Sequence, residues 1–235
     1  RNVICKLIRI ICNVVSKDIN KYDKNIYMPY IPEYNLLFIH IPKTGGTSFE
    51  KYIFYKTTLT LHGKEKTHIV IDDPELQKVS LQHQTYQTLY KYRDKLQTML
   101  DIRFDENLKK LAFVRNPYDR IVSDIFWLKF NDKKDSQEEI YNTIRHNYFQ
   151  RDDLDNHNIP QYKFVTDENE KLIPNITILK MEKLTEELCN YGFTDYEGLS
   201  ESNTYMNYLN KDSIRLINVM FKKDFELFGY DMIKY

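Results

Sequence analysis

The stretch "LLFIHIPKTGGTSFEKYIF" (Leu36–Phe54) changes character at Pro42. The unbroken apolar run before it reads as a buried strand. The apolar-periodic segment after it reads as a helix from Thr47 to about Lys56. Between them stand Lys43, Thr44, Gly45, Gly46, Thr47 and Ser48. A strand entering a helix through such a turn presents backbone N–H groups with no partner inside the helix, at the positive end of its dipole. Glycine leaves no Cβ between that backbone and an anion. Lys43 adds a mobile charge, and Thr47 and Ser48 add hydroxyl donors. The expectation is a cradle for a phosphate-like group. The alternative is a plain strand–helix turn, which requires neither the lysine nor the paired hydroxyls. In the GxxxxGK[ST] loop of nucleotide triphosphatases the lysine follows the glycines, beside a magnesium-binding hydroxyl. Here it precedes them, and no downstream acidic pair suggests magnesium.

A second stretch repeats the theme. "LAFVRNPYDRIVSDIFW" (Leu111–Trp127) reads as a strand, an arginine at its end and a helix. Arg115 falls at the carboxyl edge of a strand, where open α/β sheets bind ligands. Pro117 suits the first turn of the helix, where its missing donor costs nothing. Ser123 lies about two turns further on. Arg115 and Ser123 form a candidate clamp for a second phosphate, because a guanidinium meets phosphate oxygens in pairs. The competing reading is a buried arginine paired with Asp119 or Asp124.

The 235 residues suit one domain, residues 1–235, with an N-terminal helix and extended connection over 1–34 and a core over 35–235. Lys+Arg and Asp+Glu balance at 34 each, so no overall field draws the chain onto nucleic acid or an anionic membrane. Three scattered cysteines and six scattered histidines form no metal-ligand pattern. "VICKLIRIICNVV" (Val3–Val15) falls short of the roughly 20 residues of a membrane span and reads as an amphipathic helix. Asn175-Ile176-Thr177 is a lone glycosylation sequon.

Further strands are expected at Thr67–Asp73, Val79–Leu81, Leu108 onward and Ile176–Leu179. Helices are expected over Gln84–Leu100, Tyr118–Phe130, a segment capped by Ser136 with Glu139 and running to Tyr148, Glu182–Tyr191 ended by Gly192, and Asp212–Phe225. A short hairpin is expected about Asp167–Lys171. Strands alternating with helices predict an α/β fold on a parallel sheet.

With both motifs in order, the sequence resembles sulfotransferases that use 3′-phosphoadenosine 5′-phosphosulfate (PAPS). "IHIPKTGGTSF" is similar to their loop for the 5′-phosphosulfate. "FVRNPYDRIVSDIFW" is similar to their 3′-phosphate motif, and "FKKDFELFGY" (Phe221–Tyr230) resembles a C-terminal helix ending of the Golgi-type carbohydrate branch, which includes the heparan sulfate 2-O- and 6-O-sulfotransferases. The resemblance spans about Leu36 to Tyr230. The glycine-rich C-terminal RKG segment of the cytosolic branch is absent.

The resemblance implies a three-layer α/β/α, P-loop-like fold, PAPS as donor, 3′-phosphoadenosine 5′-phosphate (PAP) as product, no metal, and a hydroxyl acceptor, foremost a glycan. It implies work in the Golgi lumen for a eukaryotic member of that branch, and otherwise in the cytoplasm. Cofactor contacts then fall to Lys43, Thr44, Gly45, Gly46, Thr47, Ser48, Arg115 and Ser123. Lys43 neutralises the bridging or sulfuryl oxygens. His83, in "VSLQHQTYQTLY", is the candidate base, because the carbohydrate branch has a histidine in a similar segment between its two binding motifs. Among the other histidines, His157 in its loop is a candidate acceptor contact. His40, inside the first strand, reads as a core or supporting residue. The competing functions are a kinase on the same scaffold and a non-catalytic binder of a sulfated or phosphorylated ligand; a binder has no use for a base beside the cradle.

Overall fold

The computed structural model describes residues 30–56, 76, 78–100, 102–198 and 205–234. The expected N-terminal helix and the strand at Thr67–Asp73 lie outside the described residues. Four strands form one sheet in chain order: β1 (Tyr30–Ile31), β2 (Leu36–Ile39), β3 (Lys109–Val114) and β4 (Ile176–Lys180). β1 is antiparallel to β2, while β2, β3 and β4 run parallel. The sheet is therefore mostly parallel, and its carboxyl edge collects Ile39, Val114 and Lys180 with the loops that follow them.

The apolar runs of β2 and β3 are buried on both faces. Leu37, Ile39, Ala112 and Val114 pack to one side with Leu89, Leu96 and Phe164. Leu36, Phe38, Leu111 and Phe113 pack to the other with Phe49, Leu184 and Leu188. The strand period of two separates these sets, and a continuous apolar run is what a strand covered on both sides requires.

Helix α1 (Gly46–Lys56) follows β2, and α2 (Tyr86–Lys91) and α3 (Arg93–Leu100) precede β3. Helix α4 (Pro117–Trp127) follows β3, capped by Asn116 Oδ1 accepting from the Tyr118 N–H, with Pro117 in its first turn. Helix α5 (Gln137–Asn142) opens with the expected Ser136/Glu139 capping box and continues as a π-helical turn over Thr143–Tyr148. Then come α6 (Tyr162–Val165), α7 (Leu184–Tyr191), α8 (Lys211–Met220) and α9 (Lys222–Phe228). Gly192 ends α7 at φ 120°.

Three expectations are corrected. Residues 79–81 are not a strand: Leu81–His83 is a 3-10 turn, closed by the His83 N–H on the Ser80 carbonyl at 2.9 Å. Gln84–Leu100 is two helices, with a break at Tyr92. The last helix is likewise split, at Phe221, whose buried ring joins a second core cluster with Tyr118, Ile121, Ile125 and Ile144. In each case a side chain packs where a continuous helix or strand would carry it elsewhere, and burial outweighs the weak local preference. The short hairpin is present as a Thr166–Leu172 bridge.

Candidate active site

The PKTGG turn leaves β2 under two constraints. Lys43 has φ 67° and Gly45 has φ 93°, so the backbone coils tightly; glycine takes the second value without strain. Gly46 has a different reason to be glycine. A Cβ there would lie 2.3 Å from His40 Cδ2 and 2.4 Å from Nε2, so the imidazole of His40 occupies the space a side chain would need. The Thr44 hydroxyl is turned inward and donates to the Ile41 carbonyl at 2.8 Å. The Ser48 N–H returns to the Gly45 carbonyl at 3.1 Å. The N–H groups of Gly45, Gly46 and Thr47 make no hydrogen bond among the described residues, and the Thr47 and Ser48 side chains are exposed.

Arg115 sits at the end of β3, buried. Its Nη1 donates to the Lys43 carbonyl at 3.3 Å, which brings the two motifs together. The Gln161 side chain pairs with both backbone groups of Arg115: Oε1 accepts from its N–H at 2.9 Å and Nε2 donates to its carbonyl at 2.8 Å. Asp224 in turn accepts from the Gln161 and Tyr162 N–H groups, both at 2.8 Å, and burial raises its pKa to about 6. Burial lowers the pKa of Lys43; Asp124 pulls it back up and Arg115 pushes it further down. Two neighbouring cations held partly out of water are a site that an anion would stabilise.

Arg115 does not pair with Asp124. That carboxylate, fully buried, lies 2.6 Å from His157 Nδ1 and 2.6 Å from the Tyr148 hydroxyl. The arginine that is sealed in the interior is Arg120. Its Nε donates to the Pro42 carbonyl at 3.0 Å, Nη1 to Ile159 at 2.9 Å and Nη2 to His157 at 2.7 Å. One guanidinium thus ties the PKTGG turn to the loop carrying His157.

Three histidines, scattered in sequence, are neighbours. The His40 and His83 ring centroids are 5.0 Å apart, and those of His83 and His157 are 5.1 Å apart, both edge to face. Each has its Nδ1 on a different carboxylate: His40 on Glu50 at 2.9 Å, His83 on Asp155 at 2.6 Å and His157 on Asp124 at 2.6 Å. A carboxylate only accepts, so in the neutral ring Nδ1 carries the hydrogen and Nε2 is the basic atom. Burial lowers the pKa of His83, more than Asp155 raises it, so the ring is neutral at pH 7. Burial pushes the Asp155 carboxyl up, but the bonds from His83 and Ser80 prevail and hold it low. Trp127 stacks on His157 with centroids 4.9 Å apart and planes 12° apart, and Lys43 Nζ stands 5.1 Å from the indole centroid. Contacts therefore run unbroken from Lys43 through Trp127 and His157 to His83.

Residues 28–231 match the family model described as "Sulfotransferase family". The chain belongs to the sulfotransferase family. No curated protein and no solved structure matches the chain. In this sulfotransferase the match spans both motifs and the histidine cluster.

The sequence reading missed how α4 serves the site. Arg120, Ser123, Asp124 and Trp127 recur at i, i+3, i+4 and i+7, one face of the helix, while Tyr118, Ile121, Val122 and Ile125 form the core face. The sequence singles out Ser123 and Asp124; the same helical spacing puts Arg120 and Trp127 on their face. Asp155 gave no signal, because only the folded chain brings it to His83. Beside Gly45 and Ser48 lies a small recess walled by Met181, Leu184, Thr185 and Tyr196. His83, Asp155 and His157 also bring potential metal-ligand atoms within 4.8 Å of one another. Asp155 already accepts from the Ser80 N–H at 2.6 Å, the Ser80 hydroxyl at 2.7 Å and His83, so an ion there would compete with those bonds.

Proposed function

We propose that this sulfotransferase takes its sulfuryl group from PAPS and delivers it to a carbohydrate hydroxyl. The observation that carries the reading is the meeting of the Lys43 turn and Arg115 at one sheet edge, in contact through Trp127 and His157 with the carboxylate-backed His83. The groups present fit such a donor. Backbone N–H groups and Lys43 suit its 5′-phosphosulfate, and Arg115 and Ser123 suit its 3′-phosphate.

PAPS supplies an SO3 unit on a leaving phosphate. His83 Nε2 takes the acceptor's proton as its oxygen forms the new S–O bond. The bond to the bridging oxygen breaks, its electron pair stays on the 5′-phosphate, and Lys43 stabilises the charge that builds there. Most of the acceleration comes from alignment and fixed charge, since one well-placed donor at such a transition state contributes about 3 kcal/mol.

The test is a thermal-shift titration with PAP against ATP plus magnesium, followed by transfer of labelled sulfate from PAPS to an acceptor panel. Stabilisation by PAP and label in the glycans are expected. Stabilisation by ATP–magnesium alone would point to the kinase reading and overturn this one.

A further inference from the structure

We infer that His157 and Trp127 form an acceptor seat selective for sugar rings that present two neighbouring hydroxyl groups. His83 Nε2 receives the proton of the hydroxyl to be sulfated, and His157 Nε2 accepts a hydrogen bond from the hydroxyl beside it. This deepens the proposed function and rests on it.

The argument begins with the duplication. A single base is enough for sulfuryl transfer, yet two contacting imidazoles are each held by a separate carboxylate in the same way, Nδ1 to oxygen at 2.6 Å. In the neutral form each ring therefore offers the same kind of atom, an Nε2 lone pair. Neither Nε2 makes a hydrogen bond among the described residues, so each keeps its acceptor lone pair unspent. With the rings 5.1 Å apart, the two nitrogens serve two oxygens of one small molecule. A monohydric alcohol or a phenol satisfies one and leaves the other bare. Adjacent sugar hydroxyls satisfy both.

Trp127 supplies the third feature. It is the chain's one tryptophan and is 58% exposed, although the opposite face of its helix is core. Its ring stacks face to face on His157, so the indole fixes the plane in which the Nε2 lone pair of that histidine lies. A broad, rigid, exposed aromatic beside two polar acceptors matches a pyranose, which offers C–H groups on its face and hydroxyls on its rim. Asp124 also bonds Tyr148, and Arg120 holds the His157 carbonyl, so the second histidine is as firmly placed as the first.

The test uses labelled PAPS with methyl pyranosides, their monodeoxy counterparts lacking the hydroxyl next to the sulfated one, and 4-nitrophenol. For the wild-type chain, loss of the neighbouring hydroxyl raises the acceptor KM about 10- to 100-fold. In His157→Ala the intact and deoxy sugars become equally poor, and His157→Gln, whose Oε1 reaches the position of Nε2, recovers part of the discrimination. Trp127→Ala raises the acceptor KM and Trp127→Phe does so less, while the Kd of PAP holds in the His157 variants. Discrimination that survives in His157→Ala, Trp127 variants with unchanged acceptor KM, or phenol accepted as well as the sugar would each overturn the seat. Failure of the wild-type chain to bind PAP would instead overturn the donor assignment, so the two failures are told apart.

Discussion

Gly46→Ala puts one methyl group where the structure has an imidazole. The added Cβ would sit 2.3 Å from Cδ2, 2.4 Å from Nε2 and 2.9 Å from Cγ of His40. Carbon contacts settle at about 3.5–4.0 Å, so the ring must withdraw by roughly 1 Å. It has little room, because His40 is 4% exposed and its Nδ1 is bonded to Glu50 on the same helix. Its other neighbour is His83 at 5.0 Å, so the displacement reaches the proposed base. Overpacking of this kind costs about 1–3 kcal/mol. The opposing gain, alanine's better helix propensity, is at most about 1 kcal/mol and is small at a first helical residue. Overpacking wins, and a net loss of about 1–2 kcal/mol lowers Tm by roughly 3–6 °C in a domain of this size. A 1 Å error at a catalytic group costs about 100-fold in turnover. Circular-dichroism melting and single-turnover transfer of labelled sulfate measure the two effects. The double variant His40→Ala/Gly46→Ala removes the clash, so it should lose less stability than the two single losses added. A Gly46→Ala chain with wild-type Tm and kcat, or strictly additive losses in the double variant, would refute the reasoning.

Five other outcomes are expected. His83→Ala lowers kcat about 100- to 10,000-fold while the Kd of PAP, read by calorimetry, holds; Arg115→Ala does the reverse, weakening PAP binding. Because burial sets the pKa of His83 below the ordinary 6.5, and activity needs the unprotonated ring, the acid limb of the kcat/KM profile falls below that value. Asp155→Asn removes two influences that raise it, so the limb moves further down while kcat drops about 10- to 100-fold; a limb that moves up contradicts the assignment. Excess EDTA leaves transfer unchanged, and a loss restored by a divalent cation would instead assign an ion to His83, Asp155 and His157.

The strands and motifs were readable because each rests on local chemistry. An unbroken apolar run must be covered on both faces, as β2 and β3 are, and the paired glycines mark the turn that follows β2, where Gly45 takes φ 93°. The capping box at Ser136 is likewise fixed by residues three positions apart. What escaped the reading depends on distance along the chain. His40 reads in the sequence as a core or supporting residue; it lies between Gly46 and His83, and only the fold makes the second glycine of the motif a matter of space rather than of backbone rotation. Asp124, which with Asp119 carried the competing reading of Arg115, is bonded in the fold by His157 and Tyr148. Val79–Leu81 has the composition of a strand, yet Ser80 is anchored to Asp155, from a segment 75 residues away, and the chain turns there instead.

The three carbonyls held by Arg120 belong to segments 78, 39 and 37 residues from it in sequence. That one guanidinium ties the proposed donor loop to the proposed acceptor wall. Warming or denaturant should therefore abolish both capacities in a single step, with no partly unfolded species that still grips the nucleotide after it has lost the sugar.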